Sequence, residues 1–313
     1  KDFFGAERKK QNSVGAISLP VTGNPVLIQT ELYGTKWYSQ KTLGFKSKTI
    51  SVSSSKSLLS NLENASSGDV LSLKSGIYKI AGSLKIDKDI TITSGDRSKK
   101  VEIRFTSEKP GFEMHPKGVL KLENVILKGN KKQDAIATLD KNMSKAFNLF
   151  IKNTEISSFK SVIRAYKASF ADTISIDNSS IKNCLTGILL NTEIDAKGDY
   201  NAEFVYITNS KFENIQSSVL NYYRGGYDES TIGGSLVVKN NSFTNCGKAD
   251  ESGILIQNHG IVNVDFSDNT FKDNPVKEIA ILWGEKGQKP INNTISNSGE
   301  IRIEQNLKQK LMY

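Results

Sequence analysis

The stretch Asn240-Asn-Ser-Phe-Thr-Asn245 decides the fold, because the chain carries its pattern seven times. The pattern is Asn or Asp, two variable residues, an apolar residue, a variable residue and a polar residue. Its copies begin at Asn124, Asn153, Asn178, Asn209, Asn240, Asp268 and Asn292. A spacing of 24 to 31 residues, with β-branched and aromatic residues between turn formers, indicates stacked short strands. We therefore predict an all-β fold, a right-handed single-stranded parallel β-helix (solenoid) with one coil per copy.

The fourth position of each copy is the predicted core position. It is occupied by Leu127, Ile156, Ile181, Phe212, Phe243, Phe271 and Ile295. Equivalent side chains on successive coils lie about 4.8 Å apart, so these residues should form one ladder that points inward. The Asn residues should lie at the bends with their side chains inward, bonding to their own turn and to the Asn above and below.

The two cysteines follow the same register. Cys184 and Cys246 each come six residues after the first Asn of a copy, two coils apart. Two steps of about 4.8 Å separate them by roughly 10 Å, too far for a disulfide. They are predicted to be free, buried apolar residues.

The chain divides into two regions. Residues 1–48, with two prolines and eight Lys or Arg against three Asp or Glu, should be an interdomain connection or the end of a preceding domain, anchored by Trp37 and Tyr38. Residues 49–313 should form the β-helix domain. A helix over Ser57–Ala65 is predicted to cap the open end of the core, and an alternating strand should follow from Gly68 to Tyr78.

The composition limits the classes of partner that this chain is expected to bind. No apolar run approaches the roughly 18 residues of a membrane span, so none is expected. The formal net charge is +9, but residues 1–48 account for +5 of it, leaving +4 for the other 265 residues. This balance is only weak support for a polyanionic ligand, and no nucleic-acid partner is expected.

The densest group of polar and aromatic residues lies at 222–229. It contains Tyr222, Tyr223, Arg224, Tyr227, Asp228 and Glu229. One interpretation is a saccharide site, with tyrosines stacking on sugars and Arg224 clamping a carboxylate, or a metal site at Asp228 and Glu229. The other is structural, with Arg224 paired to Asp228 or Glu229 to hold a loop. Tyr223, Arg224 and His259 are the candidate catalytic residues, although His259 is also typical of a coil bend.

The segments Ser67-Gly-Asp-Val-Leu-Ser-Leu-Lys-Ser-Gly-Ile-Tyr78 and Asn221-Tyr-Tyr-Arg-Gly-Gly-Tyr-Asp-Glu-Ser-Thr-Ile-Gly-Gly234 resemble polysaccharide lyase family six, the group of alginate lyases and chondroitinase B. The second segment is similar to part of the C-terminal β-helix of two-domain members. The opening residues resemble the close of a preceding β-helix. This resemblance implies β-elimination on an acidic polysaccharide, alginate or chondroitin sulfate. It also implies calcium, a secreted or periplasmic location, an upstream β-helix domain and a possible homodimer.

The sequence departs from the family at its catalytic motifs. The phrase Glu-x-Glu-x-x-x-x-Lys-Ser is absent; Glu155 with Lys160 and Ser161 lacks the second Glu. The family's Arg-His-Gly has Asn258-His259-Gly260 as its counterpart. Three hypotheses follow: an accessory β-helix domain of a lyase, an active lyase using the Tyr223 and Arg224 loop, or a stand-alone glycan-binding protein. The first is favoured because the catalytic Lys, Arg and Glu pair are missing.

Overall fold

The computed structural model describes residues 47–141, 143–192, 200–224, 233–283 and 290–304. Within these residues the chain forms three parallel sheets of nine strands each and one helix, and successive coils supply one strand to each sheet. This is the predicted parallel β-helix. Trp37 and Tyr38, and the proposed role of residues 1–48, lie outside the described residues.

The three sheets differ in the turns that follow them, and we name them A, B and C in the order in which the chain visits them. Sheet A contains β1 (Thr49–Val52), β2 (Asp69–Leu73), β5 (Asp89–Ser94), β8 (Val119–Glu123), β11 (Phe147–Lys152), β14 (Ala171–Asp177), β17 (Ala202–Thr208), β20 (Gly233–Lys239) and β23 (Ile261–Ser267). Sheet B contains β3 (Ile77–Ile80), β6 (Val101–Phe105), β9 (Val125–Lys128), β12 (Glu155–Ser157), β15 (Ser180–Lys182), β18 (Lys211–Glu213), β21 (Ser242–Thr244), β24 (Thr270–Lys272) and β26 (Thr294–Ser296). Sheet C contains β4 (Leu84–Ile86), β7 (Phe112–Met114), β10 (Ile136–Thr138), β13 (Ser161–Arg164), β16 (Thr186–Leu190), β19 (Leu220–Tyr223), β22 (Ile254–His259), β25 (Glu278–Trp283) and β27 (Glu300–Glu304).

The repeated pattern encodes the two corners of sheet B. The first residue of every copy has a left-handed backbone, with φ between 46° and 59°, and the sixth residue does so in six of the seven. Asn and Asp tolerate this conformation better than other residues with a side chain. The three residues at positions three to five therefore form a short strand between two sharp bends.

The buried Asn ladder lies one position later than predicted. The first Asn of most copies points outward; Asn178, Asn209 and Asn240 are exposed. Asn241 and Asn269, at the second position, are the buried ones. Asn241 Nδ2 donates to the carbonyl of Ile207 at 2.8 Å and to Asn269 Oδ1 at 3.1 Å. The left-handed corner turns the first side chain out, so the next residue satisfies the buried main chain.

The core ladder is confirmed at six of its seven predicted positions. Leu127, Ile156, Ile181, Phe212, Phe243 and Phe271 are each at most 1% exposed. The rings of Phe212, Phe243 and Phe271 stack in sequence, with centroids 5.1 and 4.7 Å apart. The prediction was wrong for Ile295, which is 43% exposed. It lies on β26, the terminal strand of sheet B, and no further strand of the described residues stacks on it.

Two boundaries at the start of the domain differ from the prediction. The capping helix α1 spans Ser55–Asn64 rather than Ser57–Ala65, because Ser54 and Ser57 form a capping box that begins it earlier. The segment from Gly68 to Tyr78 forms β2 and β3 rather than one strand. Gly76 lies in the bend between them.

Both cysteines are free and completely buried. Burial raises the pKa of each thiol to about 11. We therefore expect neither to react with a disulfide reagent such as DTNB in the native protein, and both to react once guanidinium unfolds it. Stoichiometric reaction of one thiol under native conditions would contradict its placement in the core.

Candidate functional site

The turn from sheet C to sheet A carries the candidate site predicted from the sequence. Tyr222 and Tyr223 end β19, Arg224 follows them, and His259 ends β22 on the next coil. Tyr227, Asp228 and Glu229 lie outside the described residues. The structure therefore brings Tyr222, Tyr223, Arg224 and His259 together at one end of sheet C.

Tyr222 faces the core. Its side chain is 1% exposed, and its hydroxyl donates to the carbonyl oxygens of Ala202 and Glu203 at 2.8 and 3.1 Å. Burial raises the pKa of Tyr222 well above its usual value. This tyrosine fixes the neighbouring coil and presents no ring face to a sugar.

Arg224 is also buried, at 6% exposure. Its Nη1 lies 2.6 Å from Glu203 Oε2 and donates to the carbonyl of Ala202 at 3.2 Å. The guanidinium lies over the ring of Tyr200, 3.6 Å from its centroid. These contacts connect the end of β19 to the start of β17. They give the guanidinium a structural role through Glu203, whereas the predicted pairing with Asp228 or Glu229 lies outside the described residues.

Tyr223 and His259 form the half-exposed part of this site. Their rings stack at 4.3 Å with an angle of 3° between the planes, because the two residues are register partners on adjacent strands. Gly260 then turns the chain with φ of +73°. A Cβ there would lie 1.9 Å from the carbonyl oxygen of Arg224, so this corner requires glycine. His115, the other histidine, directly follows β7 of sheet C, and its Nε2 lies 2.8 Å from Glu113 Oε1.

Sequence reasoning missed Tyr200 and Glu203 because they lie more than 20 positions before Arg224 in the chain. The seven starts of the pattern contain a usable signal. When the copies of the pattern are aligned, β17 falls next to the turn that follows β19. Glu203 lies at the start of β17 and is therefore close to Arg224. Which of the nearby side chains pairs with Arg224 still depends on three-dimensional packing.

A calcium site does not emerge from the described residues. No group of three or more His, Cys, Asp or Glu side chains in this part of the chain is placed to hold a metal ion. Asp228 and Glu229 lie outside the described residues. No helix in the same part of the chain is both long and apolar enough to cross a membrane.

A second feature is a groove on the outer face of sheet A, with a volume of about 700 Å³. We call it the sheet A groove. It is lined by Thr49, Val70, Ser72, Thr91, Thr93, Ser94, Gly95, Arg97, Glu123, Asn124, Lys152 and Asn153. Its floor is therefore rich in hydroxyl groups, and its edges carry two cations and one carboxylate.

This fold was compared with known proteins. No family model matches the sequence, and no curated protein matches it. Among solved structures, the PL6 family alginate lyase AlyGC matches with a TM-score of 0.72 and 26% identity, covering 85% of this chain and 38% of that one. A point mutant of AlyGC matches with a TM-score of 0.65 and 24% identity, covering 83% and 40%.

An alginate lyase from Paenibacillus sp. str. FPU-7 matches with a TM-score of 0.44 and 14% identity, covering 82% of this chain and 98% of that one. The chain thus spans about two fifths of the length of AlyGC. Its parallel β-helix is related to that of a PL6 polysaccharide lyase.

Proposed function

We propose that this chain is a β-helix domain of a polysaccharide lyase that cleaves alginate, or else chondroitin sulfate, by β-elimination. The observation that carries the proposal is the match to AlyGC over 85% of the chain. Within that enzyme the domain supports structure, domain packing or the substrate path. The proposal includes an upstream β-helix domain with the catalytic centre and its calcium, secretion or a periplasmic location, and a possible homodimer.

The chemical requirements of β-elimination favour an accessory role for this chain over a catalytic one. The reaction removes a proton beside a carboxylate and expels the glycosidic oxygen, so it needs a group that neutralises the carboxylate, a base and a proton donor. Arg224 has its guanidinium engaged with Glu203 and Tyr200, and Tyr222 is in the core. Neither is placed to supply one of these groups to a polymer outside the β-helix.

The second candidate function is an active lyase or a glycan-binding protein that uses the turn at Tyr223. The observation that favours it is the half-exposed stack of Tyr223 on His259. A phenol and an imidazole side by side are a potential base and donor. This alternative requires Arg224, or a group outside the described residues, to neutralise the substrate carboxylate.

The proposal is tested on the full-length protein that contains this chain. We expect it to release unsaturated uronate product, measured by ultraviolet absorbance, from alginate or from chondroitin sulfate. The two polymers in parallel assign the substrate. Hydrolysis that yields saturated products, or no cleavage of either polymer by the full-length protein, would contradict the proposed reaction.

A further inference from the structure

The sheet A groove is separate from the turn at Tyr223 and has the size of a ligand site. Its volume of about 700 Å³ falls within the few hundred to one thousand Å³ that is usual for such sites. Sheet A forms its floor, and Ser94, Gly95 and Arg97 lie along its edge. Asn124 and Asn153, at the corner toward sheet B, also line it.

The floor presents hydroxyl groups at regular intervals. Ser72 and Thr93 are register partners on β2 and β5, and Thr91 lies two residues before Thr93 on the same outward face. These three side chains are half-buried. Adjacent strands lie about 4.8 Å apart, so each coil offers one or two hydroxyls that can donate and accept. Such a floor suits a ligand that is itself rich in hydroxyls and repeats along its length.

The edge of the groove adds positive charge. Arg97 is exposed and has no ion-pair partner among the described residues. The neighbouring Asp96 forms no ion pair with Arg97 among the described residues; its carboxylate accepts from the main chain and hydroxyl of Ser98 at 2.9 and 2.6 Å. Lys152 lies between Glu123 and Asp177 in the register of sheet A, so its charge is shared with them. Arg97 is therefore the cation best placed to receive a carboxylate.

The same face continues into an aromatic surface. The outward column that begins at Thr49 passes through Thr91 and Lys121 to Phe150, which is 36% exposed, and then to Tyr206. Tyr206 stacks on Phe204 at 6.4 Å with planes 6° apart. From β1 to β17 the column crosses six strand spacings, about 29 Å. Flat rings at one end can stack on the apolar faces of some pyranose units, and hydroxyls at the other end can bond to the hydroxyls of other units.

We propose that the outer face of sheet A binds an extended acidic polysaccharide, with its sugars across successive coils, its hydroxyls on the groove floor and one carboxylate at Arg97. The class of glycan rests on the proposed function, whereas the site rests on the groove. The mixed charges of the face, with Glu123 and Asp177 beside the path, disfavour a nucleic acid that carries a phosphate on every unit.

The test measures binding of a defined alginate hexasaccharide to the full chain by isothermal titration calorimetry, with cellohexaose as the neutral probe. We expect Arg97→Ala to weaken alginate binding at least about tenfold, since a charge-assisted hydrogen bond contributes roughly that much. Thr93→Tyr should weaken it by at least about as much, because the ring fills the groove. Thr270→Tyr and Arg104→Ala are the matched controls. Both change outward residues of sheet B and should leave the affinity unchanged.

The following outcomes would contradict the proposed glycan site. No binding by the wild-type chain, or equal binding by all four variants, would overturn the site. Equal affinity for cellohexaose, unaffected by Arg97→Ala, would overturn the acidic class of ligand. These results are independent of the lyase assay, because a full-length protein that cleaves alginate without binding at this groove would leave the proposed function standing. Circular dichroism of each variant confirms that the β-helix is folded.

Discussion

Replacing Phe243 with alanine should lower the free energy of unfolding by about 3–5 kcal/mol, the largest effect that we expect from one core substitution. Phe243 is completely buried and lies between the rings of Phe212 and Phe271 on adjacent coils. Alanine removes the ring, its burial and both stacking contacts, and leaves a cavity that neighbouring coils cannot close because the sheets fix their spacing.

The control for Phe243→Ala is Ile295→Ala. Ile295 holds the same position of the repeated pattern, but it is 43% exposed on the terminal strand of sheet B. Its truncation should cost less than about 1 kcal/mol. Guanidinium denaturation followed by circular dichroism measures both. Equal losses for the two variants would contradict the stacked core, since position in the pattern alone would then decide stability.

Replacing Arg224 with alanine should lower the free energy of unfolding by about 2–3 kcal/mol, because it removes a buried guanidinium and leaves the carboxylate of Glu203, 26% exposed, without its partner. The loss combines the ion pair to Glu203 at 2.6 Å, the hydrogen bond to Ala202 and the contact with the Tyr200 ring. Arg224→Lys should recover only part of it, since lysine lacks the planar fork. Thermal and guanidinium unfolding measure the effect.

Arg104→Ala provides the matched control, because Arg104 pairs with Glu102 at 2.5 Å on the open surface of sheet B. Its side chain is 35% exposed, against 7% for Arg224, and exposed pairs contribute about 1 kcal/mol or less. If Arg224→Ala were as stable as Arg104→Ala but lost glycan binding, Arg224 would be a ligand residue and our structural assignment would be wrong.

The fold could be predicted from the sequence because the repeated pattern reflects the backbone geometry of each coil directly. Left-handed corners favour residues such as Asn and Asp, and a strand between two corners needs one inward apolar side chain, so both signals recur with each coil. Cys184 and Cys246 obeyed the same register and are buried as predicted. The prediction was wrong for Ile295 because the pattern does not say whether a further strand covers it, and none of the described residues does.

The candidate site was less predictable for a physical reason. Its residues were chosen as a cluster in the sequence, but strand alternation turns Tyr222 inward and Tyr223 outward. Arg224 forms its ion pair with Glu203, which lies one coil earlier in the chain. The sheet A groove is made of short stretches 20 to 30 positions apart, and apart from Asn124 and Asn153 of the repeated pattern its residues belong to no motif, so only the stacked register reveals it.

We propose above that this chain is a part of a lyase other than its catalytic part. This proposal is tested most directly by incubating the purified chain with alginate and calcium and recording the ultraviolet absorbance of unsaturated uronate. We predict no product above the background of the polymer alone, for the chain and for its Tyr223→Phe variant alike. Calcium-dependent product formation by the chain, abolished in Tyr223→Phe, would contradict the account and make the turn at Tyr223 and His259 an active site.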